Sequence, residues 1–168
     1  NMKFAKRMDQ FGEGIFASLL AKKNQRLAQG LEVIDLSVGT PNIPPAPHIL
    51  KALEEESANG RNYVYAISDT AELQDAVCIW YKRRYGVELD PRTQVSSLLG
   101  SQEGLSHIAL TLCDPGDVVL VPDPCYPVFG DGPLIAGAKL HYMPMRRERG
   151  YLIDLSEIPA DVAKAAKL

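Results

Sequence analysis

The chain has 168 residues, of which 46% are hydrophobic and 23% charged, with a net charge of −3. This balance is that of a globular polypeptide with enough apolar residues for a core, not a disordered or collagen-like one, and no apolar run approaches the roughly 20 residues a membrane helix needs. The slight acidic excess argues against a general nucleic-acid binder, which needs a basic surplus to displace counterions, while leaving small anions open to local donors.

In chain order, Phe16, Leu19, Leu20 and Leu27 recur at helical spacing, which predicts an amphipathic helix over residues 12–29 with Gly30 as its C-cap. Residues 33–38 are rich in β-formers and predict a short strand ending at Gly39. Pro41, Pro44, Pro45 and Pro47 then stiffen an extended connector, and a soft boundary falls at about residue 47. Ile49, Leu50 and Leu53, followed by Glu54, Glu55 and Glu56, predict a helix over 46–59 with one solvated acidic face, closed by Asn59 and Gly60. Leu73, Ala76, Val77, Trp80 and Arg84 predict a helix over 70–85 ended by Gly86, with Trp80 and Tyr81 as packing residues.

The second half alternates. Residues 95–99 predict a strand, and 102–113 a helix with Leu105, Ile108, Ala109 and Leu112 on one face. Asp114, Pro115 and Gly116 supply a turn into an apolar strand over 117–121. Gly130 and Pro133 keep a helix over 126–136 short or broken, and 138–143 predicts a third strand. Residues 160–168 read as a helix still in progress, so that the protein is expected to continue. Strand, helix, strand, helix, strand makes two βαβ units, hence an α/β fold with a parallel sheet, and such sheets bind ligands beyond the carboxyl ends of their strands.

Two features lie at such ends. At Gly100-Ser101-Gln102-Glu103-Gly104 an apolar strand turns into a helix, where backbone N–H groups and a serine hydroxyl suit a phosphate. Taken alone it is equally an ordinary turn and N-cap, and it is neither a P-loop nor a dinucleotide fingerprint. At Asp123-Pro124-Cys125-Tyr126-Pro127 two prolines frame an aromatic ring that can stack on a flat cofactor, or simply pack beneath a loop. Together they point to pyridoxal phosphate.

Elsewhere the chemistry is thin. Cys78, Cys113 and Cys125 have no C-x-x-C spacing and no histidine at ligand spacing, so no metal site is expected and the thiols read as small packing residues of a cytoplasmic protein. His48, His107 and His141 form no triad, with His107 expected on the apolar side of its helix. The N-terminus carries no secretory signal pattern.

The ordered series Asp35-Leu36-Ser37-Val38-Gly39-Thr40-Pro41, Tyr63-Val64-Tyr65, Glu72-Leu73-Gln74-Asp75-Ala76-Val77, Gly100-Ser101-Gln102-Glu103-Gly104, Pro115-Gly116-Asp117 and Pro122-Asp123-Pro124-Cys125-Tyr126-Pro127 resembles the N-terminal part of the class I/II pyridoxal-phosphate aminotransferases. Within them it is most similar to the aspartate and LL-diaminopimelate aminotransferase-like group, and the resemblance spans about residues 16–143. It implies fold type I, with residues 1–47 as an N-terminal helical arm and part of the small domain, and 48–168 as the first part of the large cofactor domain and its mostly parallel sheet. It implies that Ser101, Gln102 and Glu103 hold the phosphate of pyridoxal 5′-phosphate and that Tyr126 stacks on its ring. It further implies that Tyr65 reaches a partner subunit's cofactor phosphate in a homodimer, that Gly39 meets the substrate α-carboxylate, and that Ile15 and Phe16 help close the site.

The implied activity is transamination between an amino acid and a 2-oxo acid. The family's Schiff-base lysine, its other ring contacts and its carboxylate-binding arginine are expected beyond Leu168, so no catalytic residue is assigned and these 168 residues alone are expected to be inactive. The series departs from the family at Ser68-Asp69-Thr70, where a glycine turn is usual, at Gln74, where arginine is common, and at Cys125, where a smaller residue is common. Two other readings fit the residues: different fold-type I chemistry, such as a carbon–sulfur lyase or decarboxylase, and a non-catalytic α/β anion-binding domain.

Overall fold

The computed structural model describes residues 2–12 and 14–168, which fall into two compact units, one of Glu13–Ser97 and one of Asn1–Gly12 with Leu98–Leu168.

The first unit is helical. Helix α1, Ile15–Ala28, has Gln29 as its C-cap, one residue before the predicted Gly30, which follows with a left-handed φ of +72°. Pro47 opens α2, Pro47–Ser57, at the first turn, where its missing N–H costs nothing. Helix α3, Ala71–Tyr85, has the clearest boundaries: Thr70 Oγ1 accepts from Leu73 N at 3.3 Å, and Gly86 closes it at φ +69°. Glu72 in its first turn and Lys82, Arg83 and Arg84 in its last complement the helix dipole. Trp80 and Tyr81 do not enter a core. They pack edge-on with ring centroids 5.4 Å apart, and Trp80 meets Tyr85 at 5.3 Å.

The strands predicted over 33–38 and 95–99 do not form; neither segment joins a ladder. A strand exists only as one member of a pair, and side chains satisfy part of these backbones instead. The Asp35 carboxylate accepts from Ser37 N at 3.0 Å and from Lys23 Nζ at 2.8 Å. Asp69 accepts from Ser97 N at 2.6 Å and from the Ser97 hydroxyl, while Gln74 Nε2 donates to Val95 O at 3.3 Å.

The second unit carries the sheet. Its elements are α4, Ser101–Leu112, β1, Val118–Asp123, α5, Val128–Ala136, β2, Lys139–Pro144, and α6, Ala160–Ala165. Strands β1 and β2 pair in parallel from Val118 opposite Lys139 to Asp123 opposite Pro144, so one βαβ unit stands where two were expected. The helix predicted over 160–168 stops at Ala165, because the last residues turn to the other edge of β1. Ala166 bridges Val118 in parallel, Lys167 N donates to Val118 O at 2.8 Å, and Leu120 N donates to Leu168 O at 2.9 Å. Strand β1 is therefore flanked on both sides, which suits its unbroken apolar sequence.

The core is small and lies here: Ala109 from α4, Cys113, Val119 and Val121 from β1, and Ala136 and Ala138 around the end of α5. Of the predicted apolar face of α4 only Ala109 is buried, and His107 is exposed rather than packed. Helices α4 and α5 touch through Gly132, where a Cβ would lie 2.8 Å from Ser106 O. Helix α5 is short, as Pro133 within it foreshadows.

Candidate cofactor site

The site is built where α4 begins. Gly100 sits at φ +83° and ψ 150°, a backbone closed to side chains with a Cβ, and caps the helix with no side chain of its own. The backbone N–H groups of Gly100, Ser101 and Gln102 have no acceptor among the described residues, as expected of a first helical turn. Three donors, the Ser101 hydroxyl and the positive end of a twelve-residue helix are groups that can receive an anion.

Glu103 is used differently. Its carboxylate accepts from Leu99 N at 2.6 Å and its own N–H donates to Gly100 O at 3.2 Å, so it holds the turn together. Helix α4 comes close to the incoming chain at Gly104, where a Cβ would lie 2.6 Å from Leu98 Cδ1.

Tyr126 arrives from the loop between β1 and α5. Strand β1 ends at Asp123, the Asp123–Pro124 peptide is cis, and Pro127 caps α5, so the ring is delivered from a short loop at the carboxyl edge of the sheet. Its hydroxyl donates to Gln102 Oε1 at 3.2 Å, which ties the ring to the α4 turn. At 46% exposure the ring keeps surface for a flat ligand. Partial desolvation, then the neighbouring Asp123 and Asp131 carboxylates, push the Cys125 thiol pKa up, which disfavours the thiolate.

Of the residues singled out from the sequence, Ser101, Gln102, Glu103 and Tyr126 are thus gathered in the sheet unit, whereas Tyr65, Gly39, Ile15 and Phe16 belong to the helical unit. There Ile15 and Phe16 open α1, Gly39 has nothing within 4 Å of its Cβ position, and Tyr65 is 98% exposed. Tyr63 spends its hydroxyl on Ser57 O at 2.6 Å. A groove of about 400 Å³ in that unit, lined by Leu19, Lys23, Val33 and Asp35 among others, shares no residue with the α4 turn. Among the described residues no group of three or more His, Cys, Asp or Glu side chains is placed to hold a metal ion.

A phosphate on a flat heteroaromatic ring fits this arrangement: donors for the one and a tethered aromatic for the other, joined by a hydrogen bond. The model of the family "Aminotransferase class I and II" matches residues 32–168. The chain belongs to that family. Members of the aminotransferase class I and II family use pyridoxal 5′-phosphate, and its fold is type I.

Among its relatives, an LL-diaminopimelate aminotransferase of Moorella thermoacetica is 42% identical over 168 residues, covering 99% of this chain and 43% of that protein. An L-glutamine–4-(methylsulfanyl)-2-oxobutanoate aminotransferase of Bacillus subtilis is 38% identical over 170 residues, with the same coverage of 99% and 43%. The substrate-bound structure of BacF from Bacillus subtilis superposes with a TM-score of 0.89 at 33% identity, covering 99% of this chain and 42% of that one. The chain thus spans less than half the length of the aminotransferases it matches.

The sequence alone could not show the Tyr126–Gln102 bond or the reach of Glu103 to Leu99, because each depends on how a loop closes. The Asp69–Ser97 pairing was also missed. Its one sequence signal was the departure at Ser68-Asp69-Thr70, where an acidic side chain stands in place of the family's glycine turn.

Proposed function

We propose that this chain forms the phosphate-and-ring half of a pyridoxal 5′-phosphate site in an aminotransferase that exchanges an amino group between an amino acid and a 2-oxo acid. The observation that carries the proposal is the bond of the Tyr126 hydroxyl to Gln102 Oε1, which puts an aromatic ring beside an open helix N-terminus in a member of this family. The N–H groups of Ser101 and Gln102 and the Ser101 hydroxyl bind the phosphate, and the Tyr126 ring stacks on the pyridine and limits its tilt. When bound, the cofactor supplies an electron sink that stabilises negative charge at the substrate α-carbon. Gly39 donates its N–H to the substrate α-carboxylate, Ile15 and Phe16 exclude water, and Tyr65 reaches the cofactor phosphate of a second copy. No lysine among these residues is assigned the proton-carrying role, which the resemblance places after Leu168. The same reading makes the enzyme a cytoplasmic homodimer.

Several relatives are named LL-diaminopimelate aminotransferase, which makes LL-diaminopimelate the first amino donor to try, with glutamine second. The test is transfer of a ¹⁵N label from each donor to a 2-oxo acid by the complete polypeptide that carries this sequence. Label transfer that falls at least tenfold in Tyr126→Ala supports the proposal. No transfer with any donor, or release of sulfide or carbon dioxide instead, overturns it.

A further inference from the structure

Glu103 is the sole Asp, Glu, Lys or Arg between Leu98 and Cys113, and it places a negative charge in the turn read above as a phosphate cradle. By charge alone it is the wrong residue there, since like charges a few ångströms apart repel. The geometry accounts for it. Oε2 accepts from Leu99 N at 2.6 Å, one residue before Gly100, and the Glu103 N–H donates to Gly100 O at 3.2 Å. One residue thus grips the chain on both sides of its left-handed glycine, a variant of the capping box in which the third helical residue reaches back past the cap. The Leu99 side chain adds no packing of its own to this turn, because it is 93% exposed. The grip is anchored from within the helix too, where Ser106 Oγ donates to Glu103 O at 2.9 Å.

We infer that Glu103 is a positioning residue for the cofactor phosphate: it touches Leu99 rather than the ligand, fixes the Gly100 turn, and so keeps the Gly100, Ser101 and Gln102 N–H groups available to the anion. The inference rests on the site reading above and adds a division of labour to it. The carboxylate's acceptor oxygen helps binding through the turn, while its charge opposes binding directly. The two contributions have opposite signs and come apart in substitutions. Glu103→Gln keeps an acceptor of the same reach and removes the charge, whereas Glu103→Ala removes both.

The experiment titrates the ¹⁵N-labelled 168-residue chain and its two variants with pyridoxal 5′-phosphate and with pyridoxal, which lacks the phosphate, following the amides of Leu99, Ser101 and Gln102. In the wild type, Ser101 and Gln102 shift with the phosphate ester and not with pyridoxal. Glu103→Ala binds the ester about tenfold more weakly, the size of an ordinary cap loss, with pyridoxal unaffected, and its Leu99 amide exchanges faster. Glu103→Gln binds the ester as well as the wild type or up to about threefold more tightly, with Leu99 still protected. A wild type that binds with the expected shifts, joined to an alanine variant of equal affinity, overturns the positioning role and leaves the site standing. So does a glutamine variant as weak as the alanine one. A wild type with no phosphate-dependent shift at Ser101 and Gln102 overturns the site itself and this inference with it. Unchanged Leu99 exchange in Glu103→Ala shows that the grip does not exist in solution.

Discussion

The sheet unit and the helical unit are held by different means. In the sheet unit, Val121 and Val119 of β1, 1% and 3% exposed, share a core with Ala109 of α4 and Ala136 of α5. In Glu13–Ser97 no described residue is buried, although α1, α2 and α3 are all present. Local signals alone define those helices: Pro47 at a first turn, Thr70 as a cap, Gly30 and Gly86 in the left-handed region. Helices satisfy their own backbones and so can be drawn from local signals; strands cannot, and the helical unit has none among its described residues.

This contrast can be broken or sharpened by substitution. The largest effect is expected from Val121→Asp, which buries an unpaired carboxylate and costs about 3 kcal/mol or more in urea unfolding, against less than about 0.5 kcal/mol for Leu53→Asp at a surface position. Gly132→Ala follows. Its Cβ would lie 2.8 Å from Ser106 O and 3.0 Å from Leu105 O, both unyielding backbone, so a loss of about 1–3 kcal/mol is expected, while Gly60→Ala meets nothing within 4 Å and changes little. Thr70→Ala removes the α3 cap and costs about 1 kcal/mol, read as faster amide exchange in the first turn of α3.

The smallest effect is electrostatic. The Ser97 hydroxyl, then the Ser97 N–H, hold the Asp69 carboxyl below its ordinary range. A folded-state pKa lowered in this way contributes stability above the unfolded value of about 3.9, and that contribution is lost as pH falls through the folded one. Stability of the wild type relative to Asp69→Asn should therefore fall between about pH 5 and pH 2 and be constant from pH 6 to 8. Equal acid sensitivity in both proteins would remove Asp69 from the account.

Much of this molecule was legible in its residues, and the exceptions share a cause. Helices 12–29, 46–59 and 70–85 were found to within a few residues because their caps and periodicities are local. Strands 33–38 and 95–99 were not formed because composition says which residues favour a strand but not whether a neighbour lies alongside. Residues 160–168 show the reverse case: the helical pattern is real up to Ala165, and the open edge of β1 then captures Ala166 to Leu168. At the candidate site, the ordered motifs named Ser101, Gln102 and Tyr126, but residue types alone could not divide Glu103 from Ser101 by role. That distinction depends on which atom accepts from Leu99.

The central claim is that a phosphate at the start of α4 and a flat ring against Tyr126 belong to one bound molecule. Its most direct test is a crystal structure of the chain soaked with pyridoxal 5′-phosphate. The account predicts phosphate oxygens within hydrogen-bond distance of Ser101 N and Gln102 N, and the pyridine ring stacked about 3.5–4 Å from the Tyr126 ring. A cofactor bound with its phosphate away from the α4 turn, or with its ring clear of Tyr126, would contradict it.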